Sequence, residues 1–188
     1  MKKWIPGIVI LAVILLLAGS FVGAYNSLVA MDTEVQSAYS NIESQMQRRG
    51  DLIPNLVSTV KGYAAHEEEV LTSIADARAK LAGAGSVQEM ESADSQLSSA
   101  LSRLLVVVEQ YPELKANQNF QALMDELSGT ENRIAVARKD YNNTVKKYNK
   151  AIKQFPKNLI ASMFGFESAE FFQADEASKE VPKVDFSK

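Results

Sequence analysis

The stretch FQALMDELSGTENRIAVARKDYNNTVKKYNKAIKQF, residues 120–155, decides the fold. Steps of seven from Phe120 land on Leu127, Ile134, Tyr141, Tyr148 and Phe155, all large and mostly apolar. A second row holds Leu123 or Met124, Ala137, Val145 and Ile152. Only a helix brings residues at this spacing to one face. At about 1.5 Å per residue, such a helix is roughly 50 Å long. Its apolar face cannot remain in water and needs partner helices, and the rest of the chain offers three.

Working back from that helix, Tyr111-Pro112 closes a helix that starts after a capping box, Ser86-Val87-Gln88-Glu89, with Met90, Leu97, Leu101, Leu104 and Val108 facing inward. Ala82-Gly83-Ala84-Gly85 reads as a loop. Before it lies a helix over residues 52–81, striped by Ile53, Val60, Ile74 and Leu81. The first bundle helix covers residues 25–49, with Leu28, Val35 and Ile42 in its stripe. Between these two, Arg48-Arg49-Gly50-Asp51 reads as a tight reversal. Gly50 suits a left-handed cap, the arginines sit at the negative helix end, Asp51 is an N-cap, and Pro54 falls in the next first turn. The expected fold is therefore all-α: an antiparallel, up-down-up-down long four-helix bundle over residues 25–172, closed by a short helical cap.

No charged residue separates Lys3 from Asp32, and residues 5–24 are almost wholly apolar. That length crosses about 30 Å of hydrocarbon, so residues 1–24 read as a transmembrane anchor, with a cleaved signal as the alternative. Lys2 and Lys3 precede the span, whereas Asp32, Glu34 and Glu43 follow it with no Lys or Arg nearby. The positive-inside rule then places the bundle outside the cytoplasm. After Phe155-Pro156, the residues Leu159, Ile160, Met163, Phe164 and Phe166, with Phe171 and Phe172, form an apolar segment at the membrane end of the bundle. They either plug its base or touch lipid headgroups or another membrane protein. Residues 173–188 are polar and read as a flexible tail.

Composition excludes several classes of function. There is no cysteine, one histidine (His66) and a net charge of −3. Thiolate chemistry is impossible, and the charge is no footprint for nucleic acid. A di-iron carboxylate bundle needs two Glu-x-x-His pairs, which one histidine cannot supply. No phosphate loop or nucleophile elbow occurs, so no cofactor, small-molecule substrate or catalysis is expected. Charges on apolar stripes are the remaining candidates. Glu67, Arg78, Glu131 and Arg138 are expected to pair within the bundle and fix helix register, because an isolated buried charge is costly.

Tyr25-Asn26-Ser27-Leu28-Val29, Arg48-Arg49-Gly50-Asp51-Leu52-Ile53-Pro54-Asn55-Leu56-Val57, Val60-Lys61-Gly62-Tyr63, His66-Glu67 and Ala77-Arg78 resemble blocks of the LemA family. Tyr111-Pro112-Glu113-Leu114-Lys115-Ala116-Asn117, Glu131-Asn132-Arg133-Ile134-Ala135, Ala137-Arg138, Tyr141-Asn142, Tyr148-Asn149 and Phe155-Pro156 follow in the family's order. The resemblance covers nearly the whole chain. It implies a bacterial cell-envelope protein with one N-terminal span and a helical bundle, and no established catalytic role or ligand. It also implies association with membrane organisation and with neighbouring membrane proteases, and a cytoplasmic bundle, opposite to the orientation the lysines of this sequence favour. The function expected is a membrane-anchored, non-catalytic interaction or scaffolding module with a protein partner. The alternative is a membrane-remodelling or lipid-sensing protein acting through the aromatic segment after the fourth helix.

Overall fold

In the computed structural model of the chain, residues 4–173 are described. The tail beyond residue 173 and the lysines before the span lie outside the described residues. Among the described residues there are six helices and no strand: α1 (Ile5–Lys61), α2 (Glu68–Gly83), α3 (Val87–Val108), α4 (Pro112–Lys115), α5 (Gln118–Lys153) and α6 (Lys157–Phe164). The chain divides into two compact units. One holds residues 4–40 and 139–170, the other residues 41–138 and 171–173.

The expected reversal at Arg48-Arg49-Gly50-Asp51 does not exist. α1 runs through it, and Pro54 lies inside the helix. An interior proline removes the hydrogen bond to the carbonyl four residues back, at a cost of about 3 kcal/mol. That carbonyl belongs to Gly50, and the Arg78 side chain replaces the missing donor, with Nε donating to the Gly50 oxygen at 2.8 Å. Gly50 is thus not a cap, Asp51 is not an N-cap, and Pro54 is not in a first turn. The chain turns later, at residues 62–67. There Tyr63 and Glu67 are held from outside the loop: Asn117 donates to the Tyr63 hydroxyl at 2.9 Å, and the Tyr111 hydroxyl donates to Glu67 at 3.0 Å.

The remaining boundaries follow their local chemistry. Ser86 accepts from the Glu89 amide at 3.2 Å, and the Glu89 carboxylate reaches back to the Gly85 amide at 2.8 Å, one residue before the expected Ser86. Asn117 caps α5 by accepting from the Phe120 amide at 3.0 Å. Gly165, at φ 75°, ends α6 in the left-handed region that glycine occupies without strain.

In the unit of residues 41–138, α2 packs on α3. Ile42, Met46, Ile53, Leu56 and Val60 of α1 are buried, as are Ile74 of α2, Leu97 and Leu104 of α3, and Phe120, Leu127 and Ile134 of α5. In the other unit, Leu28 and Val35 of α1 are buried, along with Tyr141, Val145, Tyr148 and Ile152 of α5. The sevenfold row of α5 is therefore core at every stop but the last. Phe155 is 80% exposed, because α5 ends at Lys153.

Three tyrosines in these packed regions hold their protons more tightly than usual. Burial raises Tyr141, with contributions from Tyr39 and Glu170. Burial and Asp32 raise Tyr148. The hydrogen bond to Glu67 raises Tyr111. A phenol whose pKa is raised by folding contributes stability that is complete below the unfolded value of about 10 and is lost as pH climbs through the folded value. Thermal stability should therefore be insensitive to these groups at neutral pH and fall above about pH 10. Tyr141→Phe should flatten that fall in a melting series taken across alkaline pH. An equal alkaline loss in the variant would remove Tyr141 as its cause.

From Ile8 to Val22, α1 carries large apolar side chains that face away from the protein, among them Leu11, Ile14, Leu15 and Leu16. This is the one helix among the described residues long and apolar enough to cross a membrane.

Candidate functional site: a buried arginine–aspartate clasp

Arg49 is the sole arginine whose side chain is fully enclosed among the described residues, at 2% exposure. It occupies a core position of α1, seven residues after Ile42 and seven before Leu56, both 0% exposed. Asp94 takes the equivalent place in α3, where it shares a row with Val87, Leu101 and Val108, all buried. Its two oxygens are divided between two guanidinium groups. Arg49 Nη1 reaches Oδ1 at 2.5 Å, and Arg138 Nη2 of α5 reaches Oδ2 at 2.8 Å. Arg49 Nη2 also donates to Ser98 Oγ, one turn along α3, at 3.0 Å, and stands 3.7 Å from Glu131 at the solvent edge. The Phe172 ring covers the Arg138 guanidinium at 5.3 Å, a cation–π contact.

Three helices are thereby tied through one carboxylate. Taking two cations and an anion out of water is expensive, and the geometry has to return that cost in charge-assisted hydrogen bonds. The Nε atoms of Arg49 and Arg138 are buried without a hydrogen-bond partner. The chemistry is that of a clasp that fixes how α1, α3 and α5 are rotated against one another.

Beside the clasp, α3 and α5 wall a groove of about 490 Å³. Gln88, Glu91, Ser92, Ser95, Glu131 and Arg138 line it. These are an amide, hydroxyls, two carboxylates and one guanidinium, a polar surface. A smaller groove of about 350 Å³ lies by the α1 proline site and includes Glu43, Gly50, Asp51 and Arg78. Among the described residues, no three His, Asp or Glu side chains are grouped as metal ligands.

Of the four expected register-fixing charges, Glu131 and Arg138 meet around Arg49 and Asp94. Arg78 serves the Gly50 carbonyl, and Glu67 accepts from Tyr111. His66 is exposed in the 62–67 loop. Arg48, next to the buried Arg49, is exposed and pairs with Glu126 at 2.7 Å, which also holds Arg133 at 2.9 Å. Such surface pairs contribute about 1 kcal/mol or less. Glu126→Gln should therefore shift the melting midpoint by no more than a few degrees, about the size expected for 1 kcal/mol in a chain of this length. Of the apolar segment after Pro156, Leu159, Met163, Phe164 and Phe171 are exposed, Phe166 is half-buried, and Ile160 and Phe172 are buried.

Asp94 and Arg49 carry the clasp, and neither stood among the charges expected to pair. A signal for both was present. Asp94 is seven residues before Leu101, and Arg49 continues the row Leu28, Val35, Ile42.

The LemA family model matches residues 38–186, most of the sequence and all three clasp residues, Arg49, Asp94 and Arg138. The chain belongs to the LemA family. Relatives of this LemA-family chain include the magnetosome protein MamQ 2 of Paramagnetospirillum magneticum, 32% identical across 79% of this chain and 64% of the relative. The magnetosome protein MamQ of Magnetospirillum gryphiswaldense is 30% identical, with the same shares covered. Protein LemA of Metamycoplasma hominis is 29% identical across 85% of this chain and 73% of its own length. The chain thus spans less than two thirds of the length of the magnetosome relatives it matches.

Proposed function

We propose that this LemA-family protein is a membrane-anchored helical module that holds a protein partner at the membrane surface and performs no catalysis itself. The observation that carries the reading is the continuity of α1. One helix carries an outward-facing apolar run from Ile8 to Val22 and, without a break, the buried row that ends in Arg49 and Leu56. The helices are arranged as an up-down-up-down bundle. Within the unit of residues 4–40 and 139–170, one step of that arrangement, α5 antiparallel to α1, is supported by Tyr39 against Tyr141 and Asp32 against Tyr148, where one numbering falls as the other rises.

The partner surface is the polar groove beside the clasp. Glu91 and Glu131 suit a basic segment, and the hydroxyls and amides suit its backbone. A photocrosslinking amino acid at Gln88 or Ser92 of the full chain, in intact cells, should yield a discrete protein adduct. The same probe at Ser102, exposed elsewhere on α3, should yield none. Equal labelling at all three positions would sink the groove as the partner site.

The domain lies outside the cytoplasm, because Lys2 and Lys3 precede the span and acidic residues follow it. The chain has no cysteine, so Ser44→Cys creates a single thiol. A membrane-impermeant maleimide should label that thiol in whole cells. Labelling only after lysis would reverse the orientation.

A further inference from the structure

α6 leaves one face uncovered. Ile160 and Ala161 are buried, while Leu159 is 58% and Met163 68% exposed; Phe155, a turn earlier, is 80% exposed. Leu159 and Met163 are four residues apart in α6 and fall on one side, and Phe155 stands exposed just before the helix begins. Phe164 bridges to α1, with its ring 6.1 Å from Phe21 and 4.8 Å from Tyr25; Phe166 lies 6.0 Å from Tyr25. Lys157 is fastened to Ser27 of α1 at 2.8 Å. The bare face is therefore fixed against α1 at the end of the apolar run, where Val22 is the last of the exposed large aliphatics before the helix turns half-buried.

Two further observations say what covers it. Trp4 and Tyr25 bracket the apolar run, and at about 1.5 Å per residue the helix between them is roughly 30 Å long, the thickness of bilayer hydrocarbon. Aromatic rings concentrate at the two boundaries of such a span. Residues 146–157 also hold Lys146, Lys147, Lys150, Lys153 and Lys157 with no Asp or Glu among them. Lysines flanking a small exposed apolar face make the composition of a helix that lies in the headgroup layer of an anionic membrane.

Resting on the reading of α1 as an anchor, we infer that Phe155, Leu159 and Met163 seat in the headgroup layer of the bilayer that α1 enters, with the neighbouring lysines on anionic lipid. α6 is then a foot that sets how deeply α1 is inserted, in addition to the groove that takes a partner. Phe172 has no part in it, being buried against Arg138.

The test uses the full chain in vesicles of phosphatidylcholine, with or without phosphatidylglycerol. An environment-sensitive fluorophore is placed on Met163→Cys, on Leu15→Cys in the apolar run, or on Val136→Cys, which is exposed on α5 in the other unit. Nitroxide lipids quench from the headgroup or from deep in the acyl chains. Leu15→Cys should be quenched from deep in the chains. Met163→Cys should be quenched from the headgroup severalfold more than Val136→Cys, and more strongly when phosphatidylglycerol is present. Deep quenching at Leu15→Cys with Met163→Cys no different from Val136→Cys would overturn the foot and leave the anchor standing. Absence of deep quenching at Leu15→Cys would overturn the anchor and the foot with it. Equal headgroup quenching in both lipid mixtures would overturn the role given to the lysines.

Discussion

Asp94→Ala should destabilise the protein by about 3–5 kcal/mol, the loss seen when one partner of a buried ion pair is removed and the other is left uncompensated. Here the remainder is worse than usual, because two guanidinium groups, Arg49 and Arg138, lose their shared counter-charge at once. Glu131 cannot substitute: it stands 3.7 Å from Arg49 and is mostly in solvent. For a chain of this size the melting midpoint should fall by about 10 °C or more. The Arg49→Met, Asp94→Leu, Arg138→Met triple variant should recover most of the loss, since apolar residues of similar volume replace a buried ion cluster at little net cost. Thermal melts of the full chain in detergent measure both. A midpoint for Asp94→Ala within a degree or two of the parent would mean that the clasp is not closed in solution. A triple variant no better than Asp94→Ala would mean that packing, and not charge, was lost.

The second large effect concerns the proline inside α1. Arg78→Met removes the donor that satisfies the Gly50 carbonyl, and an acceptor left unpaired at this half-buried site costs about 1 kcal/mol or more, toward the low end of the range for a buried group. The cost should depend on Pro54. In a Pro54→Ala background the residue 54 amide can donate to Gly50 within the helix, so Arg78→Met should cost less there by about 1 kcal/mol, the worth of one hydrogen bond. Urea titrations of the parent, the two single variants and the double variant give this coupling directly. Additive effects would show that Arg78 stabilises α1 by packing its stem and not by replacing the missing bond.

This proline also explains where reading the chain by itself went astray. Gly50, Asp51 and Pro54 are each good punctuation for a turn, and taken locally they outvote a helix. The longer pattern disagreed with them. Leu28, Val35, Ile42, Arg49 and Leu56 keep sevenfold spacing straight through the supposed reversal, and Met46, Ile53 and Val60 do the same beside them. All eight are buried. A row that holds its phase across a glycine and a proline argues for one helix, and the arginine in that row concealed it. Phe155 erred in the opposite direction. It fits the row of α5 by spacing, yet it lies beyond the helix end, where spacing no longer fixes a face.

The amino-acid order alone determined that the chain is helical, which faces of α3 and α5 turn inward, and that one apolar run is long enough to cross a bilayer. Those properties depend on periodicity and length, which are local. The tertiary structure decided which charges meet. Arg49 and Asp94 are 45 residues apart, and Asp94 and Arg138 are 44 apart. A heptad row assigns a residue to a face but leaves open how far one helix is slid along its neighbour, and a charge finds its partner only once that shift is set. The same holds for Arg78, whose role exists because a carbonyl 28 residues earlier in the chain had lost its donor.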